Sequence, residues 1–400
     1  MKILWVKCDF LHPTNKGGRI RTLEMLRRLH RDHEIHYVAF ADPAQPEGPR
    51  RAGEYCSQAY PLPLRLVSKS SPAFAGEVLQ NLFSPLPLAV SRYVSADMRK
   101  LIEKLLREQA FDALVCDFLA AAPNIPQIED AVLFQHNIEA LLWNRHASTA
   151  ADPLRRLYFG RQAARMFAFE DDTCRRAGHV VAVSAKDQDD MCRLFNISRI
   201  SAIPTGVDID HFAPPPGVPV VADLVFIGSM DWMPNIDGIL WFVEEILPLI
   251  RHSRKDCRLA IAGRQPSRKI AALPEKDSGI TVTGSVPDIR PYLWGASVSI
   301  VPLRIGGGTR LKIYESMAAK VPVISTTIGA EGLEIHPPED IRIADTAEAF
   351  AAQCMGLLDD AEQRGRQAAA AWDMVNARFS WAQVTREFEQ ILQAGPRPNS

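Results

Sequence analysis

Short apolar runs alternate with amphipathic helical patterns along all 400 residues, and this alternation constrains the fold more than any other feature. Apolar runs of that length, each closed by turn residues and followed by a helical period, are the pattern of parallel strands buried on both faces. In the first half the strands are expected at Ile3–Val6, Ile35–Phe40, Ala113–Cys116, Val132–Gln135 and Val180–Ser184. Helices such as Ile20–Arg31, Met98–Glu108 and Arg155–Ala177 fall between them. The second half repeats the rhythm with strands at Asp223–Gly228, Arg258–Gly263, Ile280–Gly284, Val298–Pro302 and Pro322–Ser325. Its helices are expected at Ile236–Ile250, Ile289–Trp294, Arg310–Ala319 and Ala347–Leu358. The fold class is therefore α/β, with two doubly wound Rossmann-like domains.

A chain of this length is expected to split into two domains, each long enough to bury its own core. The segment Ile203–Asp208 is followed by Pro214-Pro215-Pro216, which cannot continue a helix or pair in a central strand. The boundary is placed there, with residues 1–200 before it and 201 onward after it. Two such domains are expected to leave a cleft where strand carboxyl ends and helix N-termini converge.

Lys and Arg number 46 against 47 Asp and Glu, so no global field recruits nucleic acid, and any anionic ligand must be held by local groups. Seven cysteines stand scattered without a CxxC pair, which disfavours a zinc site or a disulfide framework and fits a reducing cytoplasm. No run approaches the roughly 18 apolar residues of a membrane span. The expectation is a cytoplasmic protein, with the basic, amphipathic stretch Met98–Arg107 as a candidate for peripheral docking on a membrane's inner face. The alternative for that stretch is a helix packed on the sheet with a solvated basic face.

The most informative segment is Val301–Glu315, where a strand ends, Gly306-Gly307-Gly308 turn the chain and Thr309 caps a helix. Free backbone N–H groups at such a start form an anion site. Arg310 and Lys312 fall in the first helical turn, where the helix dipole disfavours cations by roughly 0.3–1 kcal/mol each. Two cations at that position make sense if a diphosphate sits in front of them. Glu315, one turn beyond Lys312, can accept hydrogen bonds from ribose hydroxyls; its alternative is a plain surface pair with Lys312.

Near the N-terminus Gly17-Gly18-Arg19-Ile20-Arg21 repeats the logic, with cations in the first turn and no acidic partner before Glu24. The pattern is not GxGxxG, and no acid ends the second strand, which argues against a dinucleotide dehydrogenase. His136 follows the apolar run Ala131–Phe134 and so sits past a strand's carboxyl edge, in the polar cluster Gln135–Glu139. It can hydrogen-bond a sugar hydroxyl. Glu139 is either an acceptor-side acid or a first-turn residue favoured by the dipole, and His12, His179 and His211 read as structural.

The order Gly17-Gly18, His136, Thr205-Gly206-Val207-Asp208, Gly228, Gly263, Gly284 and Gly306–Glu315 resembles GT-B glycosyltransferases of family 4 over nearly the whole chain. The block Thr283–Leu333 carries the most specific part. Within the family the chain is most similar to bacterial sugar transferases of exopolysaccharide and PEP-CTERM/EpsH systems. The resemblance implies a GT-B fold, two Rossmann-like domains facing a central cleft, and a retaining hexosyltransferase that needs neither metal nor cofactor. It implies a nucleotide-diphosphate sugar as donor and a glycan or lipid-linked acceptor. It places residues 201–375 in the nucleotide-sugar domain, and residues 376–400, with the helix Trp381–Leu392, as the segment returning to the first domain.

Position by position, catalysis falls to His136, Arg310 and Lys312. Donor binding falls to Gly17, Gly18, Gly206, Val286, Gly306, Gly307, Gly308, Thr309 and Glu315. Two positions depart from the family pattern. The first acid of its E-x7-E pair would stand at Gly307, which offers the donor sugar no carboxylate. The Arg and Lys usual after the second domain's first strand are missing from Gly228–Asn235, which leaves Arg310 and Lys312 to supply the clamp. Rival readings are a nucleotide-sugar epimerase or hydrolase on the same fold, or a catalytically silent sugar-nucleotide-binding subunit.

Overall fold

The computed structural model describes residues 1–14, 17–64, 66–68, 71–149, 152–305 and 311–398. The chain divides into two compact units, Met1–Thr205 together with Val384–Ser400, and Gly206–Gln383. The triple-proline segment lies inside the second unit, past the division, although its composition reads as a linker.

The first unit is built on seven parallel strands: β1 (Lys2–Lys7), β2 (Glu34–Ala41), β3 (Gln58–Pro63), β4 (Ala113–Asp117), β5 (Ala131–Phe134), β6 (His179–Ala182) and β7 (Ile200–Ala202). Their order across the sheet is β3-β2-β1-β4-β5-β6-β7. Ile3, Leu4, Trp5 and Val6 of β1 are all fully buried, which explains an unbroken apolar run rather than an alternating one. The order reverses between β1 and β4, the place where ligands bind in open parallel sheets.

The second unit carries six parallel strands: β8 (Ala222–Ile227), β9 (Leu259–Ala262), β10 (Ile280–Val282), β11 (Ala296–Val301), β12 (Val323–Ser325) and β13 (Arg342–Ile343). Their order, β10-β9-β8-β11-β12-β13, reproduces that of the first unit, with the reversal between β8 and β11. Each unit buries a core on its sheet, and large-to-small changes in such cores typically cost about 2–5 kcal/mol.

Three strands were not expected from the sequence, and all three lie at sheet edges or next to nothing apolar enough to announce them. β3 carries Pro61 and Pro63, which only an edge strand tolerates. β7 has three residues and β13 two. The helix read as Ile236–Ile250 is in three pieces, Met233–Trp241, a wide turn at Phe242–Ile246, and Leu247–Ser253. Pro248 has no N–H with which to continue a regular ladder.

The helix Ala96–Glu108 buries Met98, Ile102 and Leu105 in the first unit's core and exposes Arg99, Lys100, Lys104 and Arg107. Its apolar stripe is thus used up on the sheet, which removes the face an interfacial helix needs. No helix among the described residues is long and apolar enough to cross a membrane. The last helix, Trp381–Ala394, enters the first unit at Val384 and there packs Phe388 against Trp5 and Phe134, at 5.7 and 5.0 Å between ring centroids.

Candidate functional site

At the reversal point of the first sheet, parallel pairing sets Lys7 at the end of β1 beside Asp117 at the end of β4. Asp117 in turn pairs with Phe134, two residues before His136. Strand register therefore gathers three polar side chains at one sheet edge. The Lys7 ammonium lies 2.9 Å from Asp117 Oδ1, with side-chain exposures of 2% and 0%. His136 Nε2 lies 2.7 Å from the same oxygen. Trp5 Nε1 and Thr22 Oγ1 donate to Asp117 Oδ2 at 2.9 and 2.7 Å. Four donors thus satisfy one buried carboxylate, as a charge in a low-dielectric site requires. Burial alone raises the Asp117 carboxyl, but Lys7 and His136 outweigh it and hold it well below the usual carboxylate range. Burial lowers His136, assisted by the Lys7 and Arg21 cations and against the pull of Asp117, so the ring is neutral.

Phe118 stacks flat on His136, with centroids 3.9 Å apart and planes 1° from parallel, and the Lys7 ammonium sits 4.1 Å from the Phe118 ring centre. Its backbone is in the positive-φ region at 74°, an uncommon place for an aromatic residue and one held only by its surroundings. The helix Gly17–Leu29 starts against this stack. A Cβ at Gly18 would come within 2.5 Å of Phe118 Cζ and 3.6 Å of His136 Nδ1, whereas one at Gly17 would meet open space. Ring packing therefore explains the glycine at 18, and Gly17 is the one of the pair with room for a ligand at its Cα.

The two arginines of that first turn differ from the sequence reading. Arg19 does have an acidic partner, because Asp9 in the loop after β1 accepts from its Nε at 2.7 Å. Arg21 is buried with its guanidinium 4.5 Å from the Phe134 ring and donates to the Ile203 carbonyl. Its Nε and Nη1 have no hydrogen-bond partner among the described residues, and burial pulls its pKa down to about 9. Glu139 opens the helix Glu139–Thr149, and burial raises its carboxyl. The buried Glu170 accepts from the Glu139 and Ala140 amides at 3.0 and 2.7 Å and caps that helix from a neighbouring one.

In the second unit the corresponding edge has a different make-up. Lys312, in the helix Leu311–Ala318, reaches back to the end of β8, where its ammonium donates to Asn235 Oδ1 at 2.8 Å and lies 4.5 Å from the Phe226 ring centre. A Cβ at Gly228 would stand 2.9 Å from that nitrogen and 2.8 Å from Asn235 Nδ2, so only glycine leaves the cation room there. Lys312 thereby puts a charge where the family's usual cations after the first strand are missing. Arg264, at the end of β9, adds a second by donating to Ser229 Oγ at 2.7 Å. The half-buried Glu315 makes no side-chain hydrogen bond among the described residues, and burial, opposed by Lys312, raises it to about 6. Tyr314 faces inward and stacks on Phe379 at 4.3 Å.

Gly206 lies under the Trp381 indole, 2.5 Å from where its Cβ would be, so packing accounts for its missing side chain. Val286 is half-buried in the loop after β10. Gly306, Gly307, Gly308, Thr309 and Arg310 lie outside the described residues. The structure adds Lys7, Asp117 and Phe118 around His136, and Asn235 and Arg264 around Lys312. Among the described residues no group of three or more His, Cys, Asp or Glu side chains is arranged to hold a metal ion.

Two family models account for most of the chain. Residues 16–211 match Glycosyltransferase Family 4 and residues 221–360 match Glycosyl transferases group 1. An uncharacterized 44.6 kDa protein in the cps region of Klebsiella pneumoniae is 19% identical over 371 residues, covering 88% of this chain and 89% of that protein. A GDP-mannose-dependent monoacylated α-(1-6)-phosphatidylinositol monomannoside mannosyltransferase of Corynebacterium glutamicum is 25% identical over 218 residues, 49% of this chain and 56% of that enzyme. Among solved structures, HepE of Anabaena in complex with UDP has a TM-score of 0.65 at 12% identity, covering 98% of this chain and all of that one. The chain is thus a glycosyltransferase with the GT-B fold. Its first half is similar to family 4 and its second half to group 1.

Proposed function

We propose that the enzyme transfers a hexose, with retention, from a nucleotide-diphosphate sugar to a glycan or lipid-linked acceptor in exopolysaccharide biosynthesis, without a metal or cofactor. The observation that carries this reading is the Lys312 ammonium lodged at the end of β8, at the second sheet's reversal point. A cation at that edge suits a diphosphate, and charge-assisted contacts are among the stronger polar interactions. In this reading Arg310 and the amides of Gly306, Gly307, Gly308 and Thr309 complete the anion site, Glu315 accepts from the ribose, and Val286 meets the base. Gly17 lies beside the donor phosphates and His136 near the transferred sugar. Charge that builds on the leaving diphosphate is stabilised by Lys312 and Arg310.

The UDP complex of HepE supports a nucleotide donor, and the lipid substrate of the Corynebacterium relative supports a lipid-linked acceptor. The Klebsiella relative's place in the cps region supports the biosynthetic setting. The test is a panel of radiolabelled nucleotide sugars incubated with extracted lipid and glycan acceptors in excess EDTA. Transfer of label that persists in EDTA is expected. Donor isomerisation, donor binding without turnover, or activity restored only by Mn²⁺ would each overturn the reading.

A further inference from the structure

The Asp117 carboxylate has more to do than neutralise Lys7. Its two oxygens receive Lys7 Nζ, Trp5 Nε1 and Thr22 Oγ1, and the first two of these groups can only donate. A carboxylate so surrounded is an acceptor, so the 2.7 Å contact from His136 Nε2 must be an N–H donated to it. A neutral imidazole carries one ring proton, and that proton is then spoken for. Nδ1 is left as a bare lone pair.

We propose that Asp117, held by Lys7, is a positioning residue that fixes His136 with its proton on Nε2, so that Nδ1 serves the site as a hydrogen-bond acceptor for a ligand hydroxyl. That the hydroxyl belongs to a sugar rests on the function proposed above; the tautomer does not. Three further observations support it. Nδ1 makes no hydrogen bond among the described residues, and it lies on the side of Gly18, 3.6 Å from where a Cβ there would be. Phe118 covers one face of the ring, Phe134 approaches it at 4.6 Å, and 6% of the side chain is still exposed. The charged groups around the ring are Lys7 from β1, Arg21 from the helix Gly17–Leu29 and Asp117 from β4. Two cations oppose a second proton, and the single anion is already shared with Lys7.

The arrangement has a specificity consequence. A ring fixed this way cannot donate at its exposed edge, so it favours a ligand that presents an O–H there over one that presents only an ether or a fluorine. It also makes His136 a reader of hydroxyls rather than a proton source.

The native protein provides the first test. In ¹⁵N-labelled protein, long-range ¹H–¹⁵N spectra should show His136 protonated at Nε2 and bare at Nδ1, unchanged between about pH 6 and 8. A proton on Nδ1, or an imidazolium in that range, overturns the proposal. The second test replaces the ion pair by apolar residues of similar size, Lys7→Met with Asp117→Leu, an exchange that folded proteins often tolerate. Both tautomers should then be populated, and turnover should fall about tenfold with the donor KM unchanged. A ring that keeps one tautomer in this variant shows that Asp117 does not position it. The third test separates the two nitrogens, should the double variant not fold. His136→Asn keeps an oxygen near the place of Nδ1, and His136→Gln keeps one only near Nε2. The Asn variant should turn over at least about tenfold faster than the Gln variant, and the reverse order overturns the proposal. Absence of any transferase activity would sink the function proposed above and leave the tautomer result standing.

Discussion

The two sheets share one strand order and place a lysine at the same kind of edge, yet the two lysines are held in opposite ways. Lys7 is buried against the full charge of Asp117, which three other donors also satisfy. Lys312 rests on the neutral carbonyl oxygen of Asn235 and the face of Phe226, beside a glycine. A carboxylate answers Lys7 directly, whereas an amide oxygen holds Lys312, whose charge also opposes the rise of the Glu315 carboxyl. On the function and the tautomer proposed above, the first edge presents a neutral acceptor and the second receives negative charge. Identical topology fixes where a site falls and leaves its chemistry to a few side chains.

The sharpest way to break this comparison is to remove each lysine. Lys7→Met leaves the Asp117 charge buried without its cation, and such a loss typically costs about 3–5 kcal/mol of stability. Chemical denaturation should show it. Lys312→Ala should leave the denaturation midpoint close to the parent's, because Asn235 can be solvated in the cation's place. Its transferase turnover should fall by about 10- to 1000-fold, equivalent to roughly 1.4–4 kcal/mol in the transition state. If the two variants exchange these phenotypes, the assignment of the two edges is backwards.

A finer contrast lies between neighbouring glycines. Gly18→Ala drives a methyl into the Phe118 ring, and overpacking of that kind typically costs about 1–3 kcal/mol. Gly17→Ala meets nothing and should melt within about 0.5 kcal/mol of the parent, if not higher through the smaller entropy of the unfolded chain. Equal destabilisation of both would mean that the helix start, not the ring stack, demands glycine.

The smallest expected effect concerns Glu315. Its carboxyl is raised to about 6 by burial, so between the unfolded value near 4.3 and that value the folded chain binds more protons than the unfolded one. Stability then declines as pH rises through this window and levels off above it. Glu315→Gln should flatten that decline, by no more than about 2 kcal/mol, in melting curves taken from pH 4.5 to 7. A parent whose melting point rises over the same window would show that Glu315 is not held in this way.

What the sequence made legible follows from distance along the chain. Central strands such as Ile3–Val6 advertise themselves because both faces are buried, whereas β3, with its two prolines, looks like a loop until a neighbouring strand is beside it. His136 stands out after an apolar run, but Asp117 does not, since an acid that ends a strand-like run reads as a turn. Its meaning comes from pairing with Lys7, 110 residues earlier, and no local pattern records that register. Lys312 and Asn235 are 77 residues apart, and the same limit hid their contact. The partner of Arg19 is hidden for a lesser reason: Asp9 precedes the glycines and lies outside the helix that carries Arg19.

The contact between Phe118 and Gly18 also bears on how such chains can diverge. A ring held at φ 74° over a bare Cα makes positions 18, 118 and 136 one unit of inheritance, because a side chain at 18 evicts the ring and a small residue at 118 uncovers the histidine. Substitutions there should be accepted in concert or not at all. Descendants that lose the aromatic at 118 should be the ones in which 18 is free to drift from glycine.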